Sequence, residues 1–144
     1  MPANKKNSKA TLKRGPSKKE KTVVLRIALA QINPVVGDFN FNANKIKQYL
    51  KQARKIGADV VLFPELAITG YPPEDLLLKE KFLTQSRKTL EKVRPHSKGL
   101  TAIIGFAEKK GEEVYNSAAL LCDGKNVGTC RKMLLPNYGV FDEK

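Results

Sequence analysis

The distribution of apolar and polar positions separates a polar opening stretch from an α/β remainder. Residues 1–21 have almost no apolar side chains, and from residue 22 the text becomes Thr-Val-Val-Leu-Arg-Ile-Ala-Leu-Ala-Gln-Ile. That β-branched run predicts a buried strand ending near Asn33 and Pro34. After Gly37 and Asp38, the residues Ile46, Tyr49, Leu50, Ala53 and Ile56 recur at helical spacing, and Gly57 follows. The spacing predicts an amphipathic helix over 42–56 laid on a sheet, with Gly57 where a helix end favours a residue free to take positive φ. Asp59-Val60-Val61-Leu62-Phe63 is then a short apolar strand. Strand, helix and strand in this order and length satisfy what a parallel βαβ unit requires.

Pro64 closes the second strand, so Glu65 falls just beyond the carboxyl end of a parallel strand, where ligands of α/β sheets gather. Pro72 and Pro73 ahead of Glu74 and Asp75 predict a helix start, with prolines in the first turn and acids at the positive end of the dipole. A further helix is expected over 81–93, closed by Pro95. Three strands follow, over 100–107, 113–122 and 126–132. Lys109-Lys110-Gly111-Glu112 joins the first two, and Asp123-Gly124-Lys125, a tight-hairpin signal, joins the last two.

Composition changes this picture little. With 144 residues, 41% apolar content and 28% charge, the chain fits one globular domain. No apolar run approaches the roughly 20 residues of a transmembrane helix, and the opening lysines have no apolar stretch behind them. The expected location is the cytoplasm. Cys122 and Cys130 lie in apolar or strand-like sequence and read as reduced, buried cysteines. His96 is the single histidine, an ordinary loop residue beside Pro95, and the cysteines lack a CxxC spacing, so no metal site is expected.

Charge divides unevenly. Of the net +13, residues 1–22 hold +7, which makes them a basic tail expected to be disordered. Such a tail can meet phosphates through counterion release, but it lacks the interleaved aromatics of a single-strand binder. A solvated extension or an upstream mis-assigned start is the reading preferred over a nucleic-acid arm. Lys45, Lys47, Lys51, Arg54 and Lys55 fall on the predicted first helix and read as its solvated face.

The chemistry-bearing phrases are Phe63-Pro64-Glu65-Leu66-Ala67-Ile68-Thr69-Gly70-Tyr71-Pro72-Pro73-Glu74-Asp75, Cys130-Arg131-Lys132, and Leu135-Pro136-Asn137-Tyr138-Gly139-Val140-Phe141-Asp142-Glu143. Taken alone, Glu65 reads equally as a loop acid and Lys132 as a solvated strand-end lysine. Together with Ala28-Leu29-Ala30-Gln31-Ile32-Asn33-Pro34 and Val36-Gly37-Asp38, these phrases resemble the glutaminase domain of glutamine-dependent NAD synthetases. That family is a branch of the nitrilase, or carbon-nitrogen hydrolase, superfamily. The resemblance runs from about residue 25 to residue 144.

The resemblance implies an α/β fold, the first half of a nitrilase-type αββα sandwich over residues 23–144. It also implies a Glu-Lys-Cys triad that hydrolyses the glutamine side-chain amide through a thioester. Glu65 matches the general base and Lys132 the lysine that steadies the oxyanion. Tyr138 matches a glutamine-binding position, Glu143 the second glutamate near the triad, and Tyr71 is expected to line the same pocket. The family's nucleophile lies on a later strand-to-helix elbow, so the chain is expected to be truncated before it, inactive alone, and left with uncovered apolar faces. Cys130, two residues before Lys132, would share its strand face, but a strand-interior thiol is poorly placed for attack and reads as structural. Cys122 reads as core. No cofactor is expected in this segment; the resemblance implies ATP and magnesium for a separate C-terminal synthetase domain, with glutamine as substrate and a homo-oligomeric full-length protein. Three alternatives stand beside this: a fragment of a stand-alone nitrilase-type amidase, a non-catalytic interaction module, and a decayed gene product.

Overall fold

A computed structural model describes residues 23–134. The basic segment 1–22, with its expected disorder, and the segment 135–144, with Tyr138 and Glu143, lie outside the described residues. The order of elements is β1 (Ile27–Leu29), α1 (Phe39–Lys55), β2 (Val60–Leu62), a 3-10 segment (Glu74–Leu78), α2 (Glu80–Val93), a second 3-10 segment (Arg94–Ser97), β3 (Thr101–Lys110), β4 (Glu113–Cys122) and β5 (Lys125–Arg131). The five strands form one sheet in the order β1-β2-β3-β4-β5. β1, β2 and β3 run parallel, while β4 and β5 fold back antiparallel. None of the described helices is long and apolar enough to cross a membrane.

α1 begins three residues earlier than the periodicity predicts, because Asp38 caps it by accepting the Phe41 N–H at 2.9 Å. Ile46, Leu50 and Ala53 are buried as expected, but Ile56 is exposed: it is the capping residue at which the helix ends before Gly57 turns to positive φ. The helix start expected at Glu74 is a 3-10 segment ending at Leu78, and α2 begins afresh at Glu80. Pro95 falls in the first turn of the second 3-10 segment, its missing N–H costing nothing at that position. The Asp123-Gly124 hairpin is as predicted, with positive φ at both residues.

The buried opening strand is a correction. β1 covers three residues, and Ile27 and Leu29 are 56% and 71% exposed. Among the described residues β1 is an edge strand, paired with β2 alone. Its alternate residues face a side of the sheet that no described helix covers at β1 and β2, while Ala102, Ile104 and Phe106 of β3 and Ala119 and Leu121 of β4 join the core with Ile46 and Leu50 of α1 and Leu90 and Val93 of α2. Across the uncovered side, Leu29, Leu62, Ile103 and Leu120 stand in one register row. The two cysteines are corrected as well. Cys122 is half-buried at the end of β4, within 3.5 Å of the Thr101 hydroxyl, and Cys130 of β5, level with Ala118 of β4, is exposed on the sheet side away from the core.

Candidate active site

Three backbone arrangements and one buried side chain place Glu65. The Phe63 N–H still donates to Ile103, but Pro64 has no N–H to extend the ladder, and the chain leaves the sheet. Leu66 takes positive φ, and its carbonyl accepts the N–H groups of Thr69 and Gly70, closing a tight turn. The Ile68 N–H donates to Gly105 at 3.1 Å, tying the turn to β3. Asn42, fully buried on α1, donates to Ile68 O at 3.1 Å while exchanging 2.8 Å hydrogen bonds with both the N–H and the carbonyl of Val35.

Two glycines make this closeness possible. A Cβ at Gly105 would stand 2.5–2.9 Å from backbone atoms of Pro64, Glu65 and Leu66, so the turn lies directly on β3. At Gly70, φ is +79° and the backbone of Val36 would be 2.5 Å from a Cβ. Val36-Gly37-Asp38 and the Glu65 turn are therefore parts of one packed unit, joined also by the Gly37 N–H to Thr69 O.

Lys132 reaches the same place from β5. Its N–H donates to Asn116 O at 2.8 Å, continuing the β4–β5 pairing, and its Nζ lies 2.8 Å from Glu65 Oε1. The Asn116 side-chain amide donates to the same Oε1. Glu65 and Lys132 side chains are 45% and 31% exposed, and they open on a recess of about 290 Å³. Its walls include Phe63, Pro64, Ile103, Gly105, Ala118 and Cys130. The expected pair is thus brought together across 67 residues of sequence, at the carboxyl end of β2. Tyr71 is half-buried against the cluster of Leu66, Leu83 and Ala107.

Arg131 fixes the strand that carries Lys132. Its guanidinium makes two hydrogen bonds to Glu108, at 2.8 and 3.0 Å, and stacks 4.0 Å above the Tyr115 ring. The Arg131 hydrogen bond holds the Glu108 carboxyl below its ordinary value; partial burial opposes it and the Ser117 hydroxyl adds to it. The same bond pushes Arg131 up, so the pair stays ionised through neutral pH. Tyr115 is pushed up by its hydrogen bond to Glu113. Because side chains alternate along a strand, anchoring Arg131 on one side sends Lys132 to the other.

A carboxylate held against an ammonium in an open recess suits proton transfer beside a developing anion. Among the described residues no group of three His, Cys, Asp or Glu comes together to hold a metal ion. Asn116, Asn42 and Gly105 are the contributors that sequence reasoning missed. Gly105 left a signal, since a glycine inside an apolar strand marks a bulge or a close backbone approach.

The carbon-nitrogen hydrolase family profile matches residues 26–144. The chain belongs to that family. This carbon-nitrogen hydrolase chain is 48% identical over 122 residues to the glutamine-dependent NAD(+) synthetase of Thermotoga maritima, covering 83% of the chain and 21% of that protein. Its fold matches the glutamine-dependent NAD+ synthetase of Acinetobacter baumannii, solved with adenosine diphosphate, with a TM-score of 0.78 and 39% identity over 82% of the chain and 22% of that structure. An amidase from Nesterenkonia shares the fold at a TM-score of 0.69 and 24% identity, over 80% of the chain and 44% of that structure. The chain spans about a fifth of the length of the NAD synthetases it matches.

Proposed function

We propose that this carbon-nitrogen hydrolase chain supplies the base and the cation of a glutaminase site that delivers ammonia to an NAD synthetase. The observation that carries the reading is the 2.8 Å contact of Lys132 Nζ with Glu65 Oε1 at the mouth of the recess. The identity to NAD synthetases supports glutamine as the amide donor.

In this reading the nucleophile is a cysteine thiol that approaches the recess from outside the described residues. Glu65 takes the thiol proton, and the thiolate attacks the amide carbon of the glutamine side chain. Lys132 stabilises the tetrahedral oxyanion, a contribution of about 3 kcal/mol for a single well-placed donor. Glu65 returns the proton to the leaving nitrogen as the C–N bond breaks, releasing ammonia and leaving a thioester. Glu65 then deprotonates water, which attacks the thioester to give glutamate and the free thiol. Tyr71, Tyr138 and Glu143 are assigned to glutamine binding, and the ATP and magnesium chemistry to a synthetase domain joined to this one in a homo-oligomer.

The test is ammonia release from glutamine by the complete gene product. Glu65→Gln and Lys132→Met each lower kcat by about 10²-fold or more. Cys130→Ala leaves turnover within twofold, and the 144-residue chain assayed alone releases no ammonia. Turnover lost in Cys130→Ala would overturn the assignment of the nucleophile, and full turnover in Glu65→Gln would overturn the reading itself.

A further inference from the structure

Asn116 has no step in the reaction above, yet it touches both charged groups. Its side-chain amide donates to Glu65 Oε1, the oxygen that also takes the Lys132 ammonium, and its main-chain carbonyl accepts the Lys132 N–H. It is half-buried on β4, opposite Ala107 of β3. The last torsion of a glutamate is soft, so a carboxylate held by one partner alone swings between oxygens. Two donors from different directions on Oε1 remove that freedom, and Oε2 becomes the oxygen presented to a reactant. The amide is neutral: it orients the carboxylate without adding a charge to compete with Lys132.

We propose that Asn116 is a positioning residue that clamps Oε1 of Glu65 and, through its main chain, the start of Lys132, so that Oε2 acts as the base. The proposal rests on the reading of Glu65 as that base, and it adds the division of labour between the two carboxylate oxygens.

Two substitutions test it in the complete gene product. Asn116→Ala removes the donor; Asn116→Asp keeps the shape and sets a carboxylate against a carboxylate, so it serves if the smaller residue disturbs folding. Both keep the main-chain carbonyl that pairs with Lys132. In Asn116→Ala, kcat falls about tenfold with KM within twofold. Asn116→Asp lowers kcat further, because a second carboxylate repels the first. A merely structural role would lower the melting temperature and leave kcat of the folded variants within twofold, and that result overturns the proposal. A second readout is independent of turnover: the ¹³C chemical shift of the Glu65 carboxyl at neutral pH, assigned by its disappearance in Glu65→Gln. The resonance moves in Asn116→Ala, and an unmoved resonance overturns the clamp. If the gene product hydrolyses no glutamine, the glutaminase reading fails while this resonance still decides the role of Asn116.

Discussion

Replacing Gly105 with alanine adds one methyl group at the point where the Glu65 turn rests on the sheet. Gly105 is paired with Ala118 in the middle of β3 and has no positive φ, so space alone excludes a side chain. The new Cβ would stand 2.5 Å from Leu66 N, 2.6 Å from Pro64 O and 2.9 Å from Glu65 C, where ordinary contact begins near 3.4 Å. All three are backbone atoms, so no rotamer change relieves the overlap. The turn must rise by about 0.9 Å, stretching the Ile68–Gly105 hydrogen bond and carrying Glu65 away from Lys132 and Asn116. Overpacking of this kind costs about 1–3 kcal/mol, and misplacing a reacting group by about 1 Å costs about 10²-fold in rate. Gly105→Ala in the complete gene product is therefore expected to lower the urea midpoint and to lower kcat for glutamine about 10²-fold. The matched control is Gly128→Ala in β5, where a Cβ meets nothing within 4 Å. There the change is neutral or stabilising by about 0.5 kcal/mol. If Gly105→Ala behaves like Gly128→Ala in both assays, the turn is not held by contact with β3 and the steric argument is wrong.

Asn42→Ala strands the N–H and carbonyl of Val35 and the carbonyl of Ile68 around a fully buried position, and is expected to cost about 2–4 kcal/mol by chemical denaturation. A loss under about 0.5 kcal/mol would show that the clamp between α1, the Val35 loop and the Glu65 turn contributes little. For Glu108, whose folded value is depressed below 4.5, stability from the Arg131 pair is fully present above that ordinary value and is lost as pH falls through the folded value. The stability difference between wild type and Glu108→Gln is thus constant above about pH 5 and shrinks on acidification. A difference that grows as pH falls contradicts the sign.

The α/β class and element order were legible because they depend on local periodicity, and β4 came out at its sequence-predicted bounds because Gly111 and Asp123-Gly124 punctuate both of its ends. The first strand was misjudged for a non-local reason. A β-branched run shows that a strand is favoured but not what covers its faces, and Ile27 and Leu29 lie on the open side of an edge strand. Asn42 was hidden in plain view. It shares the inner face of α1 with Ile46 and Leu50, and a polar residue at that helical phase is a buried polar group that must find partners. Glu65 and Lys132 emerged through the phrases around them, since neither residue type is distinctive alone. Asn116 left no such mark: its partner is 51 residues away, and only the register of β4 on β3 and β5 brings them together.

That register explains why the pair needs three strands. The Glu65 turn sits over Gly105 on β3, and Lys132 leaves the end of β5. Their backbones are two strand spacings apart, roughly 10 Å, which neither side chain spans alone. β4 fills the gap, and Asn116 rises midway between them on the side where Glu65 and Lys132 meet. The hairpin from β3 to β5 is therefore part of the site. Its antiparallel return brings a lysine from the end of β5 level with an acid that follows a parallel strand, and the Arg131–Glu108 pair on the opposite side of the sheet holds that level fixed. A one-residue slip of β5 against β4 would exchange the sides of Arg131 and Lys132, break the Glu108 pair and empty the recess of its ammonium at once. Stability and the proposed chemistry thus depend on the same register, and changes to Glu108 or Arg131 should reach Glu65 through the position of Lys132.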